Sequence, residues 1–154
     1  STHLLTLFPY TTLFRSMTSD VVKNYEFFTE VLGMRLVKKT VNQDDIHTYP
    51  TYYGDDTGSP GTAMTFFDFP NNPKGIKGTN AITRTSFRVP NDASLEYYQE
   101  RFAKVDVKHE AITTEFGKKV LRFWDFDEQA YQLISDENNV GMKVQYRRNL
   151  RFMV

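Results

Sequence analysis

The feature that most constrains the fold is an internal repeat with an offset of 70 residues. The tripeptide EFF at 26–28 is matched by EYY at 96–98, and the same offset relates Leu32 to Phe102. A repeat of this length indicates two copies of one structural unit, each with an apolar face that must be buried against a neighbour. We therefore expect two similar units packed together.

The first unit reads as a helix followed by three strands. The apolar stripe of the helix, at helical spacing, consists of Val21, Tyr25, Phe28 and Leu32. Ser19 or Asp20 can cap its first turn, and Gly33 can end it in the left-handed conformation. Strands rich in β-formers are predicted at 34–41, 48–53 and 63–69. The first strand of this unit is expected to lie before the helix, in the segment 1–16.

The second unit repeats the pattern after a turn-rich linker at 70–78. A strand at 82–89 precedes a helix opened by Pro90, Asn91 and Asp92. The helix stripe consists of Leu95, Tyr98 and Phe102, and the predicted later strands are 105–110, 119–124 and 131–134. The predicted fold class is α+β, with two β-α-β-β-β units, about 17–70 and 80–138, that form a bent mixed sheet and leave a cleft.

The two ends differ in composition from the middle. Residues 6–16, TLFPYTTLFRS, read as the in-frame translation of a common sequencing-library adapter, so we interpret 1–16 as a non-native segment. Residues 142–154 contain four basic and no acidic side chains. That basic tail would suit nucleic acid or an acidic surface, but an artificial end is the favoured interpretation. The native domain is expected at 17–141.

Charge and composition exclude several classes of protein. The formal net charge of zero argues against nucleic acid as the main partner, and residues 17–141 alone hold 14 bases against 19 acids. There is no Cys, which excludes disulfides and thiolate metal sites. No apolar run approaches the ~20 residues that a membrane span needs. An acidic, cytoplasmic domain is expected.

The paired units resemble the vicinal oxygen chelate superfamily, which includes glyoxalase I, bleomycin-resistance proteins and extradiol dioxygenases. Three stretches are similar to the branch that cleaves hydroquinone-type rings. They are DVVKNYEFFTEVLGMRLVKKTVNQDD at 20–45, TYYGDDTGSPGTAMTFFDFP at 51–70 and YQLISDENN at 131–139. The resemblance covers about 17–141. Such enzymes have four units, so it implies that this chain is an amino-terminal half.

The resemblance also implies an Fe(II) centre with two His and one carboxylate, which leaves positions open for an aromatic substrate and O2. The two His of the family's first strand would fall on Thr12 and Leu13, which cannot supply imidazoles. Pro50 stands where the family often has His, and Gln132 stands where metal-binding relatives place Glu. Catalytic, cofactor-binding and metal-ligating residues are therefore all predicted to be absent, with Fe(II) confined to the parent enzyme.

Other candidate residues favour structural roles. His3, His47 and His109 show no metal-ligand spacing, although His47 lies near Asp44 and Asp45. The run DFDE at 125–128 lacks the features of a calcium loop and reads as a β-turn. The glycine-rich segment 54–61 lacks G-K-[ST] and reads as a hairpin connection. Strand aromatics are expected on both faces of the sheet, as the alternation of side chains requires. They are Tyr52, Tyr53, Phe66, Phe67 and Trp124.

Four functional hypotheses are considered at this stage. The first is a fragment of an Fe(II)-dependent ring-cleaving dioxygenase for hydroquinone- or catechol-like aromatics, itself inactive. The second is a metal-free module that binds small aromatics or drugs, in which a homodimer would be common. The third is a dimeric enzyme of the glyoxalase type, which would need metal ligands that the sequence does not supply. The fourth is an inert fragment whose apolar face, left uncovered, would aggregate.

Overall fold

The computed structural model describes residues 6–7, 14–39, 50–55, 63–69, 78–79 and 82–137. A two-residue strand, β1 (Thr6–Leu7), comes first along the chain. The first unit then consists of β2 (Phe14–Thr18), α1 (Val21–Glu26), β3 (Arg35–Lys39), β4 (Pro50–Gly54) and β5 (Met64–Asp68). The second unit consists of β6 (Thr85–Val89), α2 (Asp92–Lys104), β7 (Thr113–Glu115), β8 (Lys118–Trp124) and β9 (Ala130–Ser135).

Both units have the same topology, so the predicted fold class is confirmed. The first sheet has the strand order β2-β5-β4-β3, and the second has β6-β9-β8-β7 with β1 added beside β6. In each unit the first strand pairs in parallel with the last, and the other pairings are antiparallel. The hydrogen bonding thus divides the strands into two mixed sheets, one for each unit.

The helix boundaries follow the predicted caps. The side chain of Asp20 accepts hydrogen bonds from the N–H groups of Val22 and Lys23, at 3.0 and 3.1 Å. Asn91 caps α2 by accepting from the Ser94 N–H at 3.0 Å. Gly33 has a φ of 74°, so the residue that ends the first helix is in the left-handed region that favours glycine. These local assignments from sequence are confirmed.

The first helix departs from its predicted stripe. After α1 the chain continues as a π-helical turn at Phe27–Val31, where Leu32 N–H bonds to the Phe27 carbonyl at 3.1 Å. Asn24 is fully buried, whereas Tyr25 is 42% exposed. The prediction that Tyr25 joins the apolar stripe was therefore wrong, because a polar residue occupies the buried helical position beside it.

The second strand of the second unit also differs from its prediction. Residues 105–110 form no strand beyond one bridge between His109 and Phe123. β7 lies further along, at Thr113–Glu115, and pairs antiparallel with β8 through a turn at Phe116 and Gly117. The apolar residues of 105–110 suggested a strand, but Val107 N–H bonds to the carbonyl of Phe102 and so closes the end of α2.

A single aromatic core joins the two units. Phe28 is fully buried and its ring lies 4.6 to 5.9 Å from those of Phe66, Tyr53 and Tyr131. Other large side chains that are fully buried include Tyr98, Phe87, Phe102, Phe123, Leu32, Met64, Leu95, Leu121 and Leu133. Because Tyr131 belongs to the second sheet and Phe28 to the first helix, neither unit has a core of its own.

Side chains of α2 bind the backbone at the end of the first helix. The Tyr98 hydroxyl donates to the Leu32 carbonyl at 3.0 Å. Arg101 donates through Nε to the Val31 carbonyl at 2.8 Å and through Nη2 to the Glu30 carbonyl. These bonds satisfy carbonyls that the helix end leaves without an internal partner.

A second set of hydrogen bonds between the two units lies at the turn between β8 and β9. Asp127 accepts from the Thr18 hydroxyl at 3.0 Å and from both the N–H and the hydroxyl of Ser19. Gln129 accepts from the Ser16 hydroxyl at 2.8 Å and donates to the Met17 carbonyl at 2.7 Å. The end of β2 is thus held by residues more than 100 positions away in the chain.

Candidate functional site

The polar face of the second sheet is the candidate functional site. Along β6, Thr85, Phe87 and Val89 are buried toward α2, so the alternate residues lie on the opposite face. Those alternate residues are Arg84, Ser86 and Arg88. By the same alternation, Gln132 of β9 and Arg122 and Trp124 of β8 share this face. The face is half-buried and rich in hydrogen-bonding groups.

Gln132 lies at the centre of this face. Its side-chain oxygen accepts from Arg84 Nη1 at 3.0 Å, and its Nε2 donates to the Ser86 hydroxyl at 2.9 Å. The two bonds fix the orientation of the amide, because only the oxygen can accept from a guanidinium. Gln132 is therefore already engaged with a cation and a hydroxyl.

The arginines of this face differ in how their charges are balanced. Arg122 pairs with Glu110 at 3.4 Å and with Glu115 on β7. Arg88 lies 3.5 Å from Asp136, which also binds Lys118 at 2.7 Å. Arg84 has no carboxylate partner within the described part of the chain, and its Nε is buried there without a hydrogen-bond partner. Only Arg84 combines partial burial with an unbalanced charge on this face.

The described residues do not fit an Fe(II) ion. Among them no group of three or more His, Asp or Glu side chains converges in a way that could hold a metal. Gln132 offers a neutral amide oxygen that a guanidinium already occupies, and iron centres of the facial type need a carboxylate. Thr12 and Leu13 lie outside the described residues, and Pro50 is buried in β4.

The histidine that the structure describes has a structural environment. His109 bridges to Phe123 at the edge of β8, and its Nδ1 lies 2.7 Å from the Val107 carbonyl. Its ring centroid is 5.9 Å from that of Phe102, on the side of the sheet that packs against α2. His3 and His47 lie outside the described residues, as do Asp44 and Asp45.

The turn at 125–128 is a β-turn, as predicted, with Glu128 N–H bonded to the Asp125 carbonyl at 3.1 Å. Asp125 itself is buried, and its carboxylate accepts from the Gln129 N–H at 2.9 Å and the Tyr131 hydroxyl at 3.0 Å. Burial raises the pKa of Asp125 to about 6 and also raises the pKa of Tyr131 well above its usual value. The sequence identified the turn but not the buried acid within it.

The strand aromatics divide between the two faces, as expected. Tyr53 and Phe66 are fully buried in the core, and burial raises the pKa of Tyr53 to about 12. Tyr52, Phe67 and Trp124 are only partly buried. The Lys108 ammonium lies 5.0 Å from the ring centroid of Trp124, which is a cation–π contact.

The polar face was not predicted from the sequence, although the alternation of polar and apolar residues that produces it is visible there. The run RTSFRV at 84–89 alternates polar and apolar residues, which predicts one solvated and one buried face. From the sequence, Gln132 was considered only as a residue that lacks the carboxylate of a metal-ligating Glu. The contact that unites it with Arg84 joins residues 48 positions apart, so no local pattern could indicate it.

The comparisons with known proteins agree with the geometry of the fold. Residues 10–132 match the family model described as the Glyoxalase/Bleomycin resistance protein/Dioxygenase superfamily. The chain is 40% identical over 126 residues to the "Putative ring-cleaving dioxygenase MhqA" of Bacillus subtilis, covering 82% of this chain and 40% of that protein. It is 32% identical to the "Chlorohydroquinone/hydroquinone 1,2-dioxygenase" of Sphingobium indicum, covering 69% of this chain and 33% of that protein.

Solved structures give the same result. A "putative dioxygenase" from Bacillus subtilis superposes with a TM-score of 0.74 at 31% identity, covering 84% of this chain and 42% of that one. A "glyoxylase/bleomycin resistance protein/dioxygenase domain" from Frankia has a TM-score of 0.69 at 15% identity and is covered over 98% of its length. That second likeness indicates the fold alone. The chain spans about two fifths or less of the two curated relatives named above. No helix among the described residues is long and apolar enough to cross a membrane.

Proposed function

This chain belongs to the glyoxalase/bleomycin resistance protein/dioxygenase superfamily, and from that premise we propose that it is part of a ring-cleaving dioxygenase for hydroquinone- or catechol-like aromatics. The observation that carries the proposal is the 40% identity with a ring-cleaving relative across 82% of this chain. The relative from Sphingobium, whose name specifies hydroquinones, supports this class of substrate. The whole protein would be cytoplasmic.

The proposal includes Fe(II) as the cofactor of the whole protein, with its ligands supplied from outside the described residues. Within them, the oxygen of Gln132 is bound to a guanidinium, and a cation at that position opposes the approach of a metal ion. We therefore expect the chain alone to bind no stoichiometric iron and to show no turnover. The partly buried Tyr52 and Phe67 of the first sheet would contribute apolar surface near an aromatic substrate.

A metal-free module that binds small aromatics is the second candidate. The observation that favours it is the hydrogen-bonded row of Arg84, Gln132 and Ser86 on the polar face. Such a row can orient a polar ligand without a metal. A homodimer remains part of this alternative.

Metal analysis and oxygen uptake test the two candidates together. The purified chain is loaded anaerobically with Fe(II), desalted and assayed with a substituted hydroquinone, and the longer gene product from the genomic locus is assayed beside it. Iron and oxygen uptake in the longer protein only would support the dioxygenase proposal. Stoichiometric iron with turnover in the chain alone would contradict the assignment of the ligands, and inactivity of both would favour the binding module.

A further inference from the structure

Arg84, Ala130 and Trp124 form a row across three adjacent chain segments of the polar face. Thr85 lies opposite Tyr131 in the parallel pair, so Arg84 and Ala130 stand side by side one step earlier on both strands. Trp124 lies opposite Ala130 in the antiparallel pair. Residues paired across strands project from the same face, so the three side chains form one row.

The middle position of this row is nearly empty of side chain. Neighbouring strands are about 4.8 Å apart, so the backbones at Arg84 and Trp124 are about 10 Å apart. Between them the sheet presents only the methyl group of Ala130. Among the described residues, the side chains of Trp124 and Arg84 thus flank a position that is occupied only by this methyl group, which we call the gap.

The charges around the gap favour an anion. Arg84 is half-buried, has no carboxylate partner within the described residues, and keeps its buried Nε free of any hydrogen bond there. A desolvated guanidinium without a counter-charge is costly, and its planar fork matches a carboxylate in a bidentate arrangement. Gln132 already binds Arg84 Nη1 and so holds the guanidinium over the sheet.

A second cation lies over the indole ring of Trp124. The backbone N–H of Trp124 bonds to the carbonyl of Lys108 at 3.0 Å, which places the backbone of Lys108 along the edge of β8 away from β9. Its ammonium lies 5.0 Å from the ring centroid. Because the Lys108 backbone lies on the side of β8 away from β9, the side of Trp124 toward Ala130 is the one assigned to a ligand ring. We propose that this gap binds a small aromatic carboxylate, with the ring against Trp124 and the carboxylate on Arg84.

This site requires neither iron nor oxygen, so it is independent of the proposed ring cleavage, and it rests on the second candidate function, the metal-free binding of small aromatics on the polar face. Benzoate serves as the probe, because it has the required ring and charge but no hydroxyl pair for ring cleavage. Trp124 is the single tryptophan of the chain, and its fluorescence reports directly on the site. We expect a saturable change with benzoate, and a response at least 10-fold weaker with benzamide, cyclohexanecarboxylate or inorganic phosphate.

Two variants test the named residues separately. Arg84→Gln should weaken benzoate binding about 10-fold or more, since a hydrogen bond to a charged group contributes roughly 1.5–3 kcal/mol and tenfold is 1.4 kcal/mol. Ala130→Leu should abolish binding by filling the gap while leaving Arg84 in place. Arg35→Gln, at an exposed position in β3 of the other unit, is the matched control and should bind as the wild type does.

Several results would overturn the assignment. They are the absence of saturable quenching by benzoate, equal binding of benzamide or phosphate, and equal effects of Arg84→Gln and Arg35→Gln. Circular dichroism and thermal melting establish that each variant is folded. If Arg84→Gln fails to fold, Ala130→Leu decides the matter, because benzoate binding that survives a filled gap places the ligand elsewhere.

Discussion

The two units share one strand order but build their helices differently. α2 is a regular helix of 13 residues, whereas α1 has six residues and then widens into a π-helical turn. Asn24 and Ser94 are 70 residues apart and both are buried. The Ser94 hydroxyl donates to the Asn91 side chain at 2.9 Å, but neither polar atom of the Asn24 amide has a partner among the described residues.

The difference teaches that a repeated apolar pattern fixes topology more firmly than helix geometry. Phe28 and Tyr98 occupy matching buried positions in both helices, and so do Leu32 and Phe102. The four strands of each unit also have the same order in their sheet. The polar positions between the matching buried residues are free to differ, and in the first unit the result is a widened turn with a buried amide.

The largest expected effect on the free energy of unfolding comes from replacing Phe28 or Tyr98, the buried aromatics at matching positions of the two helices. Phe28→Ala should lower the free energy of unfolding by about 3–5 kcal/mol, because a fully buried ring with four aromatic neighbours is removed. Tyr98→Ala should cost a similar amount and should unfold both units together. Tyr25→Ala, at the exposed neighbouring position, is the control. Urea titration followed by Trp124 fluorescence measures each value, and two separate transitions would break the picture of one shared core.

The next largest effect concerns Asp125, in the turn between β8 and β9 of the second unit. The corresponding connection of the first unit, between β4 and β5, lies largely outside the described residues. The raised pKa of Asp125, about 6 against an ordinary 3.8, means that the folded state holds its proton at pH values where the unfolded state has lost it. The free energy of unfolding should therefore fall as the pH rises from about 4 to 6, by roughly 3 kcal/mol in total.

Asp125→Asn should remove this dependence and be the more stable protein above pH 6. The amide oxygen can still accept from the Gln129 N–H, and the Tyr131 hydroxyl can turn to Gln129 Oε1, 3.3 Å away. Denaturant titrations at pH 4, 5, 6 and 7 measure the difference, with the exposed Asp106→Asn as the control for loss of one charge. A constant difference across that range would contradict the buried, protonated acid.

The smallest effect tests the two matched polar positions. Asn24→Leu should raise the free energy of unfolding by about 1 kcal/mol, because it replaces a buried amide that has no hydrogen-bond partner in the described chain by an apolar side chain with the same branching. Ser94→Ala should lower it by about 1 kcal/mol, because the bond to Asn91 is lost. Thermal melting of both variants measures the two signs. Equal signs would indicate that the Asn24 amide has a partner such as a bound water.

The sequence predicts what is local or repeated. The caps at Asp20 and Asn91, the α2 stripe and the β-turn at 125–128 each depend on side chains within a few positions of one another. The burial of Asn24 was not predictable, because the polar residue interrupts the apolar period from which helix faces are inferred. The strand predicted at 105–110 was wrong for a related reason. Its apolar residues serve the end of α2 instead.

The candidate site was predicted less completely than the fold. Trp124 was expected on one face or the other, and Gln132 was recognised as unsuited to iron. The meeting of Arg84 with Gln132, and of Asp127 with Thr18, depends on the parallel strand pairs and on the packing of the two units. Neither pattern is local, so each required the structure. The assignment of 1–16 and 142–154 as non-native stays a prediction.

In each unit the first and last strands pair in parallel, and this arrangement affects the order in which strand pairs form during folding. β2 can bond to β5, and β6 to β9, only after the intervening helix and strands have been placed. Contacts between residues so distant in sequence are entropically expensive and form late, so folding of this topology is slow. The hydrogen bonds between Gln129 and the end of β2, at Ser16 and Met17, span 113 and 112 residues of sequence and would close last. A chain emerging from the ribosome would thus hold β2 unpaired until β5 had been synthesised, and β6 unpaired until β9 had been synthesised.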